Sequence, residues 1–116
     1  MKVIIAGSRG ITSYEDVCQA VIDSGFEITE IVSGTARGAD TLGELLAIRC
    51  NIPIKRMPAA WHKYGKQAGM IRNLDMASYA DALIVVWDGC SKGTENMIRT
   101  ASEMGLKVHI HDIIPF

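Results

Sequence analysis

The chain of 116 residues is 48% apolar and carries a formal net charge of −1. This length suits one domain, residues 1–116, and the charge gives no support to a strongly basic surface that coats nucleic acid. The three cysteines form no CxxC pair, which argues against a disulfide framework or a cysteine-rich zinc site and indicates a reducing compartment, with the cytoplasm as the expectation. No apolar run has the length of a signal-peptide core or a bilayer span, so we expect no membrane contact.

Strand patterns and helix patterns alternate along the chain. The apolar runs predict five strands, over residues 2–6, 30–33, 54–57, 82–87 and 107–110. Helical spacing and capping signals predict four helices between them, which begin near Tyr14, Asp40, Ala68 and Thr94 and end near Ser24, Asn51, Tyr79 and Gly105. The segment 58–69 has no clean period and predicts the longest loop.

This alternation predicts an α/β fold of the Rossmann-like, three-layer α/β/α type, with about five mostly parallel strands and helices on both faces of the sheet. The first and fourth strands are the most apolar, so we expect them side by side at the centre. Ligands of such sheets bind beyond the carboxyl ends of the strands, where the strand order reverses. The turn at 7–10 is therefore expected to lie beside the turn at 88–94.

Four glycine-containing turns stand at or close to the starts of the predicted helices: GSRG at 7–10, SGTARGAD at 33–40, AGMIRN at 68–73 and DGCSKGT at 88–94. Glycine lets the backbone approach a ligand, and a helix start presents unpaired N–H groups that attract phosphate. Each turn also holds a cation, which favours an anionic, nucleotide-like ligand. The residues expected to bind it are Gly7, Ser8, Arg9, Gly34, Thr35, Arg37, Gly38, Asp40, Arg72, Asn73, Asp88, Gly89, Ser91, Lys92, Gly93 and Thr94.

Several residues also have a purely structural explanation. Glycine suits a strand-to-helix turn whether or not a ligand binds, Asp40 suits a helix cap better than a catalyst, and Asp88 either accepts from a ribose hydroxyl or ends its strand. Trp61 and Tyr64 either stack on a base, with Lys63 and Lys66 near phosphates, or cover a sheet edge or a dimer contact. The HxH sequence at 109–111 suits edge packing better than a metal site, so neither a metal nor a cofactor is expected.

The four turns, together with MIRNLDMASYADALIVV at 70–86, resemble the SLOG superfamily of Rossmann-like proteins. This superfamily includes the LONELY GUY phosphoribohydrolases and the DNA-processing protein of natural transformation. The resemblance extends from Val3 to about Val108 and is greatest to the small single-domain members found in bacteria, phages and mobile elements. It implies a site for a nucleoside monophosphate, an ADP-ribose-like molecule or a cyclic signal.

The resemblance transfers to this chain position by position. It implies that Arg72 corresponds to the arginine that phosphoribohydrolases hold near the phosphate and ribose. The other positions that match family ligand loops are Gly7, Ser8 and Arg9 in the first loop, Gly34, Gly38 and Asp40 in the second, and Gly93 and Thr94 in the last. Because relatives often pair through helices beside the site, a homodimer or higher homo-oligomer is expected.

One catalytic residue of the phosphoribohydrolases does not transfer. Their glutamate lies three positions after the threonine of the last loop, where this chain has Met97, which cannot donate or accept a proton. Binding is therefore expected in preference to catalysis. The alternative is an N-glycosidic hydrolase in which Arg72 orients the phosphate or ribose and Glu95 or Asp88 replaces the glutamate, although Glu95 projects from a different side of its helix. A nucleic-acid partner is a third possibility, which the neutral charge balance disfavours.

Overall fold

The computed structural model describes residues 1–113, which fold around one parallel five-stranded sheet with the strand order β3-β2-β1-β4-β5. The strands are β1 (Lys2–Gly7), β2 (Glu30–Ser33), β3 (Ile54–Arg56), β4 (Ala82–Trp87) and β5 (Lys107–Asp112). The helices are α1 (Tyr14–Ser24), α2 (Ala39–Arg49), α3 (Trp61–Tyr64), α4 (Ala68–Tyr79) and α5 (Lys92–Glu103). The predicted Rossmann-like α/β class is confirmed.

Both faces of the sheet are covered because successive residues of each buried strand point to opposite sides. Val3 and Ile5 of β1 face one side and pack with residues of α1 and α2 such as Val17 and Leu46. Ile4 of β1 faces the other side, where the core includes Met76 of α4 and Met97 of α5. This alternation gives three layers and explains why the central strands are continuous apolar runs.

The first and fourth strands are neighbours at the centre of the sheet, as predicted. Ile5 of β1 is paired with Ile84 of β4 in parallel register, and Gly7 is paired with Val86. From β1 the chain builds β2 and β3 on one side and β4 and β5 on the other, so the strand order reverses between β1 and β4. A crevice at the carboxyl ends of these two strands is the usual ligand position in such sheets.

Helix ends follow the local sequence signals closely. The Ser13 hydroxyl accepts a hydrogen bond from the N–H of Asp16 at 3.3 Å, and α1 stops at Gly25, whose φ of 68° is left-handed. The Ser91 hydroxyl likewise accepts from the N–H of Thr94 at 3.4 Å and caps α5. Within residues 1–113, no helix is both long and apolar enough to span a bilayer.

Two sequence predictions about local structure are wrong. The segment 58–69 is not one loop: it contains α3 and a 3-10 turn at Gly65–Gln67 before α4 begins. A single helical turn with exposed residues has no apolar period to reveal it. Asp40 does not cap α2, because the N-cap is Gly38 with a φ of 80°, and Asp40 lies in the first turn of the helix.

Candidate functional site

A cavity of about 330 Å³ opens at the carboxyl end of β1, between the β2–α2 loop, α4 and the start of α5. We call it the main cavity. Residues from all four predicted turns contribute to its wall, so the turns do converge. The lining residues are Ala6, Gly7, Arg9, Ala36, Asp40, Trp61, Lys66, Gly69, Met70, Arg72, Asn73, Met76, Ser91, Lys92, Gly93, Thr94, Asn96 and Met97.

A second cavity of about 310 Å³ adjoins the first, and we call it the side cavity. The two share four wall residues, Arg9, Ala36, Trp61 and Arg72. The other residues of the side cavity are Gly34, Thr35, Arg37, Pro58 and Ala59.

The main cavity concentrates positive charge. In the part of the chain that the structure describes, the wall holds four cationic side chains and one carboxylate, that of Asp40. The cations are Arg9, Lys66, Arg72 and Lys92. None of these four cations forms a salt bridge with a residue in the described range 1–113. Clefts lined by one sign of charge raise the local concentration of oppositely charged ligands. The wall is therefore suited to an anion.

Arg72 is held in a fixed orientation by groups from three elements. Its Nη1 donates to the carbonyl oxygen of Gly34 at the end of β2, and its Nε donates to Oδ1 of Asn73 at 3.0 Å. The buried amide of Asn73 in turn donates to Oδ1 of Asn96 on α5 at 2.9 Å. Burial lowers the pKa of Arg72 and the Asp40 carboxylate opposes this change, but a guanidinium stays charged in proteins. The result is an oriented, partly desolvated cation in the cavity wall.

Asp40 is buried with only 5% of its surface exposed, and it points back into the β2–α2 loop. Its Oδ2 accepts the N–H of Ala36 at 3.1 Å. Burial raises the pKa of this carboxyl to about 6, although the Ala36 hydrogen bond and the charge of Arg72 act in the opposite direction. Asp40 therefore exchanges its proton near neutral pH, beside an arginine and inside the main cavity.

The raised pKa of Asp40 gives a testable pH dependence of stability. Because the folded carboxyl holds its proton to a higher pH than the unfolded one, the native state binds more protons between pH 3.8 and about 6 and loses stability as the pH rises through that window. Asp40→Asn keeps an acceptor for Ala36 and cannot ionise. The wild type should therefore lose roughly 2 to 3 kcal/mol of unfolding free energy between acid and neutral pH that the Asp40→Asn variant does not lose.

Urea unfolding at a series of pH values measures this difference. Asp75→Asn, which removes an exposed carboxylate from α4, is the matched control. If the free-energy difference between wild type and Asp40→Asn stays constant across the window, the assigned environment of Asp40 is incorrect.

Arg72 and Asp40 pack so closely against residue 34 that only glycine fits there. A Cβ at this position would stand 2.6 Å from Nη1 of Arg72 and 2.8 Å from Oδ2 of Asp40. The sequence predicts close approach of a ligand to this glycine. In the structure, a side chain of the protein itself makes the close approach.

The loop between β4 and α5 is organised by Asp88. Its Oδ1 accepts the N–H groups of Cys90 at 2.8 Å and Ser91 at 3.0 Å. These two bonds lower the pKa of Asp88, so the carboxylate is committed to the turn. Ser91 then caps α5, which leaves the helix start at Gly93 and Thr94 in the cavity wall.

Four of the sixteen residues expected to bind ligand lie outside both cavities: Ser8, Gly38, Asp88 and Gly89. Ser8 is 1% exposed, and its hydroxyl accepts the N–H of Asp88 at 3.2 Å, so it joins the first turn to the last. Gly38 has no room for a Cβ, which would overlap the carbonyl oxygen of Ser8. Gly34, Thr35 and Arg37 line the side cavity only, and the remaining nine line the main cavity.

Met97 occupies the position where the resemblance to phosphoribohydrolases would place a catalytic glutamate. Met97 is 2% exposed and lines the main cavity, so the carboxylate expected from the resemblance is replaced by a thioether. Glu95 lies outside the cavity, exposed, with Oε1 3.8 Å from Arg99. Asp88 accepts hydrogen bonds from backbone N–H groups of the β4–α5 loop. Neither candidate substitute lines the cavity, whereas Asp40 does.

Trp61, Lys66 and Asn96 also line the wall. The sequence analysis left the roles of Trp61 and Lys66 open and missed Asn96. Trp61 is 51% exposed, and its ring lies against Gly69, where a Cβ would stand 3.4 Å from the indole. Asn96 is three residues after Gly93, which places both on one side of α5. That spacing is a signal that could have identified Asn96.

The fold and the position of the cavity define a Rossmann-like α/β protein with its candidate site at the point where the strand order reverses. No family model matches the chain. The Gene 61 protein of Mycobacterium phage D29 is 32% identical over 117 residues, in an alignment that covers 92% of this chain and 93% of that protein. The chain belongs to the family of this phage protein.

A solved structure with a similar fold is that of DNA processing protein A (DprA) from Streptococcus pneumoniae. The TM-score is 0.74 at 20% sequence identity. The match covers 94% of this chain and 49% of DprA, so the chain spans about half the length of that protein. At this level of identity the likeness concerns the fold.

The prediction that disfavours nucleic acid as a partner is wrong. It was based on the net charge of −1, yet the fold is shared with a protein named for DNA processing. Net charge sums over the whole surface, whereas binding depends on the local distribution of charge. The net charge therefore does not reveal that four cations lie together in the main cavity.

Proposed function

We propose that the protein binds a nucleotide or nucleotide-derived ligand in the main cavity and that it is a member of the SLOG superfamily. The observation that carries this proposal is the set of four cations, Arg9, Lys66, Arg72 and Lys92, around the start of α5 at the strand-order reversal. In this proposal the Gly93 N–H group at the start of α5 and the cations hold phosphate, while the Thr94 N–H donates to the Ser91 cap.

The exposed indole of Trp61 offers a flat apolar surface at the rim for a base. Such stacking tolerates different bases because each has a π-face. In this proposal the phosphate contacts supply most of the binding free energy. Asn96 lines the cavity as a neutral hydrogen-bonding group for the ribose, whereas the Asn73 amide is engaged with Arg72 and Asn96.

A thermal-shift panel tests the proposal. Nucleoside monophosphates, dinucleotides, ADP-ribose and cyclic relatives are compared, with short single-stranded oligonucleotides added because of the DNA-processing neighbour. A ligand at about 100 times its Kd adds about 2.7 kcal/mol of stability, which corresponds to a shift of several degrees in a domain of this size. If no compound in the panel shifts the melting temperature, the proposal is refuted.

The second candidate function is hydrolysis of an N-glycosidic bond, and Asp40 is the observation that favours it. Among the described residues it is the only carboxylate in the wall of the main cavity, and its pKa of about 6 suits a group that donates or accepts a proton near neutral pH. In this mechanism Arg72 orients the phosphate. Release of free base that Asp40→Asn abolishes while nucleotide binding persists would support hydrolysis. Absence of release from purine and pyrimidine nucleotides would exclude it.

Assembly into a homodimer or higher homo-oligomer and residence in a reducing compartment complete the proposal. Met70 and Leu74 on α4 are 60% and 51% exposed, so apolar surface is available beside the cavity for a second copy. The three cysteines Cys18, Cys50 and Cys90 are all free thiols. Light scattering coupled to gel filtration measures the oligomeric state, and a monomer at micromolar concentration would contradict the proposed homo-oligomer.

A further inference from the structure

The side cavity, at about 310 Å³, is nearly as large as the main cavity of about 330 Å³, and its charge is more one-sided. Arg9, Arg37 and Arg72 bring three guanidinium groups to its wall, and no acidic residue of the described part of the chain lines it. Within residues 1–113, none of the three forms a salt bridge. Like charges held together in a partly enclosed space raise the free energy of the empty site and favour capture of an anion.

The geometry separates the cations into three groups. Lys66 and Lys92 line the main cavity alone, Arg37 lines the side cavity alone, and Arg9 and Arg72 stand on the boundary between the two. A single phosphate at the start of α5 would use the first group and the boundary arginines. It would leave Arg37 and the side cavity without an anion.

We infer that the ligand is a dinucleotide whose two phosphates are separated by a nucleoside, with one phosphate in each cavity. This inference rests on the proposed nucleotide site and extends it. Trp61 stands at the rim of both cavities, where its exposed indole stacks on the base between the phosphates. Each cavity alone is at the lower end of the range of ligand sites, about 300 to 1,000 Å³. The two share four wall residues, so one ligand can extend from the main cavity into the side cavity.

Calorimetric titration of matched ligands tests the inference. The probes are a nucleoside 5′-monophosphate, the linear dinucleotide with a 5′-phosphate, and the cyclic dinucleotide, each in an adenine and a guanine series. Three variants are compared with the wild type: Arg37→Gln in the side cavity, Lys92→Gln in the main cavity, and Lys107→Gln as an exposed control on β5.

We expect the linear or the cyclic dinucleotide to bind at least 10-fold more tightly than the monophosphate. Arg37→Gln removes most of this gain and changes the monophosphate affinity less than 2-fold. Lys92→Gln weakens both kinds of ligand, and Lys107→Gln weakens neither. Whichever dinucleotide shows the gain that depends on Arg37 identifies a linear or a cyclic linkage.

The failure of the inference is distinct from the failure of the proposed site. Monophosphate binding that depends on Lys92, with no gain for either dinucleotide, overturns the inference and leaves the nucleotide site standing. A dinucleotide gain that Arg37→Gln does not reduce also overturns it, because the side cavity is then not used. Absence of binding by every probe refutes the proposed site itself.

Discussion

Arg72→Gln is expected to weaken nucleotide binding by about 100-fold or more while the protein stays folded. The substitution removes a cation that lines both cavities, as Arg9 also does, and that is oriented by backbone and side-chain acceptors. A hydrogen bond to a charged group contributes roughly 1.5 to 3 kcal/mol. Arg72 can form such bonds with a ligand while its side chain keeps the orientation it already has. Because the guanidinium is already held in place, little conformational entropy is lost when a phosphate binds.

Calorimetry with the tightest ligand of the thermal-shift panel measures this loss. Arg99→Gln is the matched control, because Arg99 lies on α5 outside the main cavity and forms an exposed ion pair with Glu95. Arg72→Lys separates charge from geometry, since lysine keeps the charge and lacks the planar fork. Equal affinities for wild type and Arg72→Gln would remove Arg72 from the site.

Gly34→Ala gives an independent check on the same group without removing any charge. The added methyl would stand 2.6 Å from Nη1 of Arg72 and 2.8 Å from Oδ2 of Asp40, so both charged groups must shift. Loss of affinity in this variant would show that the arrangement of Arg72 and Asp40 matters as well as their charges.

Gly7→Ala is expected to cause the largest loss of stability, on the order of 3 to 4 kcal/mol in the free energy of unfolding. A Cβ at Gly7 would overlap the carbonyl oxygen of Val86 on β4 and stand 2.8 Å from Cβ of Ala39 on α2. The overlap is with backbone of the central strand pair, so no flexible side chain can move aside. Since small domains have about 5 to 15 kcal/mol in total, the variant should be close to unfolding in mild denaturant.

The control for this prediction lies three residues away in the same turn. Gly10→Ala adds a methyl group where no atom lies within 4 Å, and Gly10 has no left-handed φ. Its unfolding free energy should stay within about 0.5 kcal/mol of the wild type. A Gly7→Ala protein that unfolds at the same urea concentration as Gly10→Ala would contradict the packing of β1 against β4.

The strands and most helices could be predicted because their signals are local. Residues 82–87 form one unbroken apolar run, and such a run occurs where both faces of a strand are buried, as in β4. The cap at Ser13 and the left-handed Gly25 bracket α1 for equally local reasons. The helix α3 has four residues and none is buried, so its sequence carries no apolar pattern that could predict it.

The candidate site was only partly predictable, because the turns are a local feature and the directions of their side chains are not. That four turns meet at one edge of the sheet follows from parallel strands and alternating helices. That Ser8 and Asp88 hydrogen-bond within the protein, and that Asp40 turns back to Ala36, depends on packing between loops distant in sequence. The side cavity likewise arises from the meeting of the β2–α2 loop with the segment before α3.

The central claim is that the main cavity holds the phosphate of a nucleotide-derived ligand, and amide chemical-shift mapping tests it most directly. The protein, labelled with nitrogen-15, is titrated with the monophosphate and dinucleotide probes. We predict saturable shifts at the N–H groups of Gly93 and Thr94 and at the Trp61 indole, with no change along β5 beyond residue 107. Shifts confined to other surfaces, or none for any probe at millimolar concentration, would contradict the account.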